Sequence, residues 1–174
     1  MGSKKYALFI IILVLLFASP VLAKPLLHKI AVLPTLEEPH ILCVEYEGRT
    51  SMTNSIIWRG YGLLTPASEA SSFGLGSGVR YYPQRDALRG LYITPSLETI
   101  WSFTENPESK TIKGDFSANL ALGYQLVIGN MLSLDLSGGF AIPFYSLTAD
   151  NERFNNEFSY SLVPIYKLGA GFVW

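Results

Sequence analysis

The 174-residue chain has one cysteine, Cys43, and two histidines, His28 and His40. A single thiol excludes an intramolecular disulfide framework and a cysteine-based metal site. A serine hydrolase needs a histidine base beside its nucleophile, yet both histidines lie far upstream of the serine-rich strands. His40 has Glu37 and Glu38 close by in sequence, a grouping more typical of a solvated loop than of a base or a metal site. Charged residues are scarce at 16%, and the formal net charge of −1 lacks the basic excess of a nucleic-acid-binding surface. Glycines 74, 76 and 78 alternate along a strand-like segment and match no phosphate-binding motif. These absences lead us to expect no catalytic residue, no cofactor, no metal and no nucleic-acid partner.

Long apolar runs are also missing, with one exception at the start. Lys4 and Lys5 precede an unbroken apolar or aromatic run from Tyr6 to Phe17, and Ser19-Pro20-Val21-Leu22-Ala23 supplies a break and a small residue for cleavage. This is the layout of a secretory signal peptide. Residues 1–23 therefore read as a signal peptide and residues 24–174 as one domain. After Ala23 no run of ten apolar residues occurs, short of the roughly 20 that a membrane-spanning helix needs. Cys43 lacks a small residue before it and reads as a strand residue, not a lipid-anchor site.

What the chain does have is period-two alternation. From Phe116 to Ile128, Phe116, Ala118, Leu120, Leu122, Tyr124, Leu126 and Ile128 oppose Asp115, Ser117, Asn119, Ala121, Gly123, Gln125 and Val127. From Leu132 to Phe144 the even positions are apolar apart from Gly138, against Ser133, Asp135, Ser137, Gly139 and Ala141. A helix would mix Asp135 with Leu132 and Leu136, so both segments are strands, with Gly129-Asn130 as a tight turn between them. Similar alternation covers Leu91–Phe103, Phe73–Tyr81, Ile56–Leu64 and Leu42–Glu47. A final strand runs to Trp174 and extends upstream through Leu162, Tyr160 and Phe158.

Seven strands are visible, and an even number closes a single-chain bacterial membrane barrel. With Trp174 at the periplasmic rim, the turns near Arg49–Met52, Pro83–Leu88 and Gly129–Met131 are short and periplasmic. Pro66–Ser72, Thr104–Lys113 and Thr148–Glu157 are longer, polar and extracellular. The eighth strand must come from Leu26–Leu36, which is weakly strand-like. The expected fold is all-β, a closed antiparallel up-and-down transmembrane β-barrel of eight strands. Pro95, Pro143 and Pro164 fall inside strand segments, where a closed ladder has little tolerance for a missing N–H. Alternation does not by itself separate a membrane barrel from a soluble lipocalin-like carrier with an apolar interior. The second face is rich in Gly, Ser and Asn with isolated charges, which suits a polar lumen better than a soluble surface.

On that facing, Glu45, Glu47, Arg59, Arg80, Glu98, Asp135 and Lys167 point inward. An eight-stranded barrel is just filled by side chains, so these charges are expected to pair as a structural network plugging the lumen. Neighbouring strands suggest Glu45 or Glu47 with Arg59, Arg80 with Glu98, and Asp135 with Lys167. A gated ion pathway is the competing use of the same residues.

Tyr166, Leu168, Ala170, Phe172 and Trp174 share one face of the last strand, against Lys167, Gly169, Gly171 and Val173. This strand resembles the C-terminal strand of bacterial outer-membrane barrels. There, residues at positions such as Tyr166, Leu168, Phe172 and Trp174 form the signal read by the barrel-assembly machinery. The whole mature chain is similar in plan to the small eight-stranded OmpX and OmpA-barrel group. The resemblance implies export through the periplasm to the outer membrane and contact with its lipid and lipopolysaccharide. It further implies a monomer with a structural or surface-interaction role and no enzymatic activity. A lipid A-modifying barrel enzyme and a small pore are the alternatives within that plan.

Overall fold

In the computed structural model the described residues are 27–34, 41–63, 70–84, 86–106, 109–150, 153–158 and 160–174. The segment expected to be a signal peptide, and His40 with its neighbouring glutamates, lie outside them. Among the described residues there are nine strands: β1 (His28–Pro34), β2 (Ile41–Arg49), β3 (Asn54–Leu63), β4 (Ala70–Tyr81), β5 (Gly90–Asn106), β6 (Ser109–Ile128), β7 (Leu132–Asp150), β8 (Arg153–Glu157) and β9 (Val163–Val173).

Eight of the strands close into an antiparallel barrel. Each of β1 to β7 pairs with the next, β7 pairs with β9, and β9 pairs with β1. The weak segment upstream of Leu42 is a true first strand, because closure supplies it with a neighbour on both sides. Lys29 is opposite Glu47 on β2 and Val173 on β9, and the Trp174 N–H donates to the His28 carbonyl at 3.0 Å.

The ninth strand is an addition. β8 pairs with the last residues of β7, from Ser146↔Glu157 to Asp150↔Arg153. The expected long loops Thr104–Lys113 and Thr148–Glu157 are therefore mostly strand, since β5 and β6 stay paired out to Asn106↔Ser109. β5, β6 and β7 have 17, 20 and 19 residues, against 7 to 12 in β1–β4. The barrel thus projects on one side, away from the Trp174 end. Phe158 and Leu162, expected in the last strand, lie in the gap between β8 and β9, where 142–145 of β7 pair with neither of those strands.

Pro95 and Pro143 sit at irregularities of pairing, and Pro164 sits one residue from the end of its ladder. The β4–β5 ladder breaks between Gly78↔Ser96 and Tyr81↔Ile93, beside Pro95. Pro143 adjoins a register shift at Phe116/Ser117, where Phe144 is passed over. Pro164 pairs with Phe140 at the start of β9, next to the β8–β9 gap. The missing N–H groups therefore fall at irregularities or near a ladder end, not in the middle of an intact ladder.

Following paired residues around the barrel, Lys29, Glu47, Ile57, Gly78, Ser96, Asn119 and Ala141 lead to Val163, not to Val173, the direct partner of Lys29. The stagger is ten residues over eight strands, and such shear tilts the strands by roughly 35–45°. Side chains at quite different distances from their strand ends consequently reach one height.

The barrel is apolar outside and polar inside. Its most deeply buried large side chains include Arg80, Lys29, Gln125, Glu45, Glu47 and Asp135, while Leu75, Leu97 and Leu136 on the opposite faces are 65%, 61% and 63% exposed. This inverts the usual distribution in a water-soluble domain, where charged residues are almost never fully buried.

Candidate functional site: the charged lumen

All seven charged residues expected in the lumen lie there, joined by an eighth, Lys29. The count balances, with Lys29, Arg59, Arg80 and Lys167 against Glu45, Glu47, Glu98 and Asp135. They form two connected layers.

The layer nearer Trp174 is built around Lys29 and Arg80. Lys29 Nζ is 2.9 Å from Glu45, Glu47 and Asp135 alike. Arg80 Nη2 donates to both Glu45 oxygens at 2.9 and 3.1 Å, and Nη1 reaches Glu47 and Asp135. Neutral groups take the remaining valences. Ser55 and Tyr82 donate to Glu47, Tyr92 donates to Asp135, and Gln125 Oε1 accepts from Lys29 and Arg80 with the Tyr82 hydroxyl 3.1 Å away. The Arg80 guanidinium also sits 4.1 Å above the Tyr92 ring centroid, within cation–π range. Gly123 makes room for that ring, because a Cβ there would fall 2.3 Å from it.

The second layer is smaller and partly exposed. Glu98 Oε1 accepts from Arg59 at 2.6 Å and from Lys167 at 3.1 Å, and Ser96 lies beside both Arg59 and Glu98. Arg59 Nε also donates to Glu45 at 2.9 Å, linking the layers. The lumen floor is closed by the β4–β5 turn, where Tyr82, Ala87 and Leu88 are buried. Leu88 adopts a left-handed backbone, φ 74°, to place its side chain there. Deep burial of an isolated charge is prohibitive, but here every lumen charge touches an opposite charge.

Of the pairings expected from strand order, Glu45 with Arg59 is present. The others differ: Arg80 meets Glu45, Glu47 and Asp135 instead of Glu98, and Lys167 meets Glu98 instead of Asp135. The reason is shear. Strand tilt lowers Arg80 to the height of Lys29 and Asp135 across the lumen, and brings Glu98 level with Lys167. Lys29 was hidden because its strand is weak in isolation. Its alternation with Ala31 and Leu33 gains meaning only once closure sets that face inward.

Buried Gln125 Nε2, Ser133 Oγ and Asn119 Oδ1 make no protein hydrogen bond. His28 stands at the rim, bonded through Nδ1 to the Tyr46 hydroxyl at 2.8 Å and stacked on that ring. Glu45, Glu47 and Asp135 converge on the Lys29 ammonium, and no group of three or more His, Cys, Asp or Glu placed to hold a metal ion occurs among the described residues. Tyr166 and Leu168 of the expected assembly signal face outward, and Phe172 and Trp174 are half-buried. Comparison with protein-family models, curated proteins and solved structures gives no match.

Proposed function

We propose that the chain is a small outer-membrane β-barrel of the OmpX/OmpA-barrel plan, non-enzymatic and monomeric, with a plugged lumen and a surface-interaction role. The observation that carries this reading is the inverted barrel: an apolar exterior around a charge-balanced interior. A soluble carrier with the same strands would place Leu75, Leu97, Leu120 and Leu136 in water. At roughly 25 cal/mol per Å2 of apolar surface, that exposure is strongly unfavourable.

Two further features support a bilayer boundary. Trp101, Phe116, Tyr145 and Phe158 form a chain of ring contacts with centroids 5.4–5.9 Å apart on the outer wall. Aromatic girdles flank the apolar band of membrane barrels. The β7–β9 ladder also runs unbroken up to Ala141↔Val163 and lapses just beyond, beside Tyr145 and Phe158. Unpaired backbone is costly in hydrocarbon, and this lapse spans 142–145 of β7 whereas the one beside Pro95 is shorter, which favours a lipid edge close to it. Beyond it, β5–β8 project outward. Among the described residues β8 pairs only with β7, which leaves an edge able to accept a partner's strand. The signal peptide, export and assembly-machinery recognition belong to the same reading.

The pairing of every lumen charge favours a plug over a conducting pore. Electrophoresis of outer-membrane fractions, unheated and boiled, tests the proposal. A compact band that shifts on boiling is expected, and a soluble periplasmic band without a shift would refute it.

A further inference from the structure

The outer wall carries a depression of about 390 Å3 across β3–β7. Its walls are Trp58, Leu75, Leu97 and Phe116, and small Ser77 and Thr99 lie low between them. Strand register creates the hollow, since Ser77 is paired with Leu97 and Leu75 with Thr99, so a short side chain adjoins a long one on each row. Beside Leu75 on β3 is Gly60, where a Cβ would find nothing within 4 Å. Arg59 and Glu98 also border the hollow, but their charged ends are committed to each other in the lumen at 2.6 Å. The Thr99 hydroxyl is sealed from solvent without a hydrogen-bond partner, so the Ser77 hydroxyl is the one polar side-chain group left on a floor that is otherwise apolar.

We infer that this groove holds one acyl chain of lipid A, as a defined site distinct from the fluid lipid around the barrel. The inference rests on the membrane reading above and names its lipid partner. Three observations select the occupant. The lining is apolar where side chains reach it, which suits a hydrocarbon chain. The groove is continuous with the outward apolar band, so its opening meets lipid before any other partner. It also ends at Phe116 and Phe144, and Phe116 belongs to the aromatic chain at the end of the barrel away from Trp174. A chain entering from that end comes from the outer leaflet, where lipopolysaccharide supplies the lipid.

The test uses full-length mature protein folded into phosphatidylethanolamine–phosphatidylglycerol vesicles containing lipid A, extracted gently and read by native mass spectrometry. Wild type is expected as a monomer retaining one lipid A. Ser77→Phe with Thr99→Phe, which fills the groove without touching the lumen, should retain at least ten-fold less. Equal retention by both proteins, phospholipid in place of lipid A, an empty wild-type monomer or a lipid-free dimer would each overturn the site. Flotation of the wild-type protein with the vesicles and its heat-shifted mobility are read in parallel, and failure of these would instead overturn the membrane reading. If the filled variant does not fold, acyl-brominated lipid A should quench wild-type tryptophan emission more at low lipid A fractions than it quenches Trp58→Phe. Equal quenching would refute the inference.

Discussion

Arg80 is the residue whose removal the lumen should tolerate least. It is 1% exposed and contacts three of the four lumen carboxylates, with Gln125, Thr94 and the Tyr92 ring completing its surroundings. Arg80→Met keeps much of the volume and leaves three cations facing four carboxylates. Breaking a buried ion pair by removing one partner costs about 3–5 kcal/mol, because a charge is left uncompensated. Lys29 remains 2.9 Å from Glu45, Glu47 and Asp135, which places the expected loss near the lower figure, about 3 kcal/mol. The double variant Arg80→Met with Glu47→Gln restores the balance at three against three, and should recover more than half of the loss. Equilibrium urea unfolding of vesicle-reconstituted protein, followed by tryptophan fluorescence, measures both. A single-variant loss below about 1 kcal/mol, the scale of a surface pair, would refute the charge-balance reasoning. So would a double variant no more stable than the single one.

Three other outcomes follow from the same geometry. Leu136, 63% exposed between Tyr124 and Leu168, should on replacement by Arg lose about 2–4 kcal/mol of vesicle folding free energy, whereas Asn155→Arg on projecting β8 should change it by less than about 0.5 kcal/mol; equal effects would mean that Leu136 does not face lipid. Double-mutant cycles should give a coupling of about 0.5–3 kcal/mol for Arg59 with Glu98 and a clearly smaller one for Arg80 with Glu98, and the reverse order would contradict the layered network. Gly123→Ala should destabilise by about 1–3 kcal/mol by pushing Tyr92 off the Arg80 guanidinium, with Gly60→Ala near neutral as the control, both read by the same urea titration.

Strand identity and facing were legible because they depend on a local quantity, the two-residue period of the backbone. Leu132, Leu134 and Leu136 against Ser133 and Asp135 declare two faces wherever the strand is placed, and the inward set of seven charges follows from that alternation. The barrel's closure by β1 was legible only through strand parity, since His28–Pro34 has little β character until β2 and β9 bracket it. Thr104–Lys113 and Thr148–Glu157 read as loops because they are polar, although most of each is paired strand in β5–β8. Polar composition marks a loop in most domains, but on a sheet projecting away from the apolar band it is compatible with paired strand.

Which charges meet was beyond the sequence alone. Strand order says that β4 adjoins β5, but not that a ten-residue stagger lowers Arg80 beside Lys29 and Asp135 while bringing Glu98 level with Lys167. That stagger is a property of the closed ring, set when β9 hydrogen-bonds to β1, and no single strand encodes it. The outer groove has the same origin, since Ser77 and Thr99 become a hollow only when register sets them against Leu97 and Leu75. Alternation determined which side of the wall each residue occupies; closure and shear decided its neighbours, because contacts across a barrel depend on height and angle around the axis instead of distance along the chain.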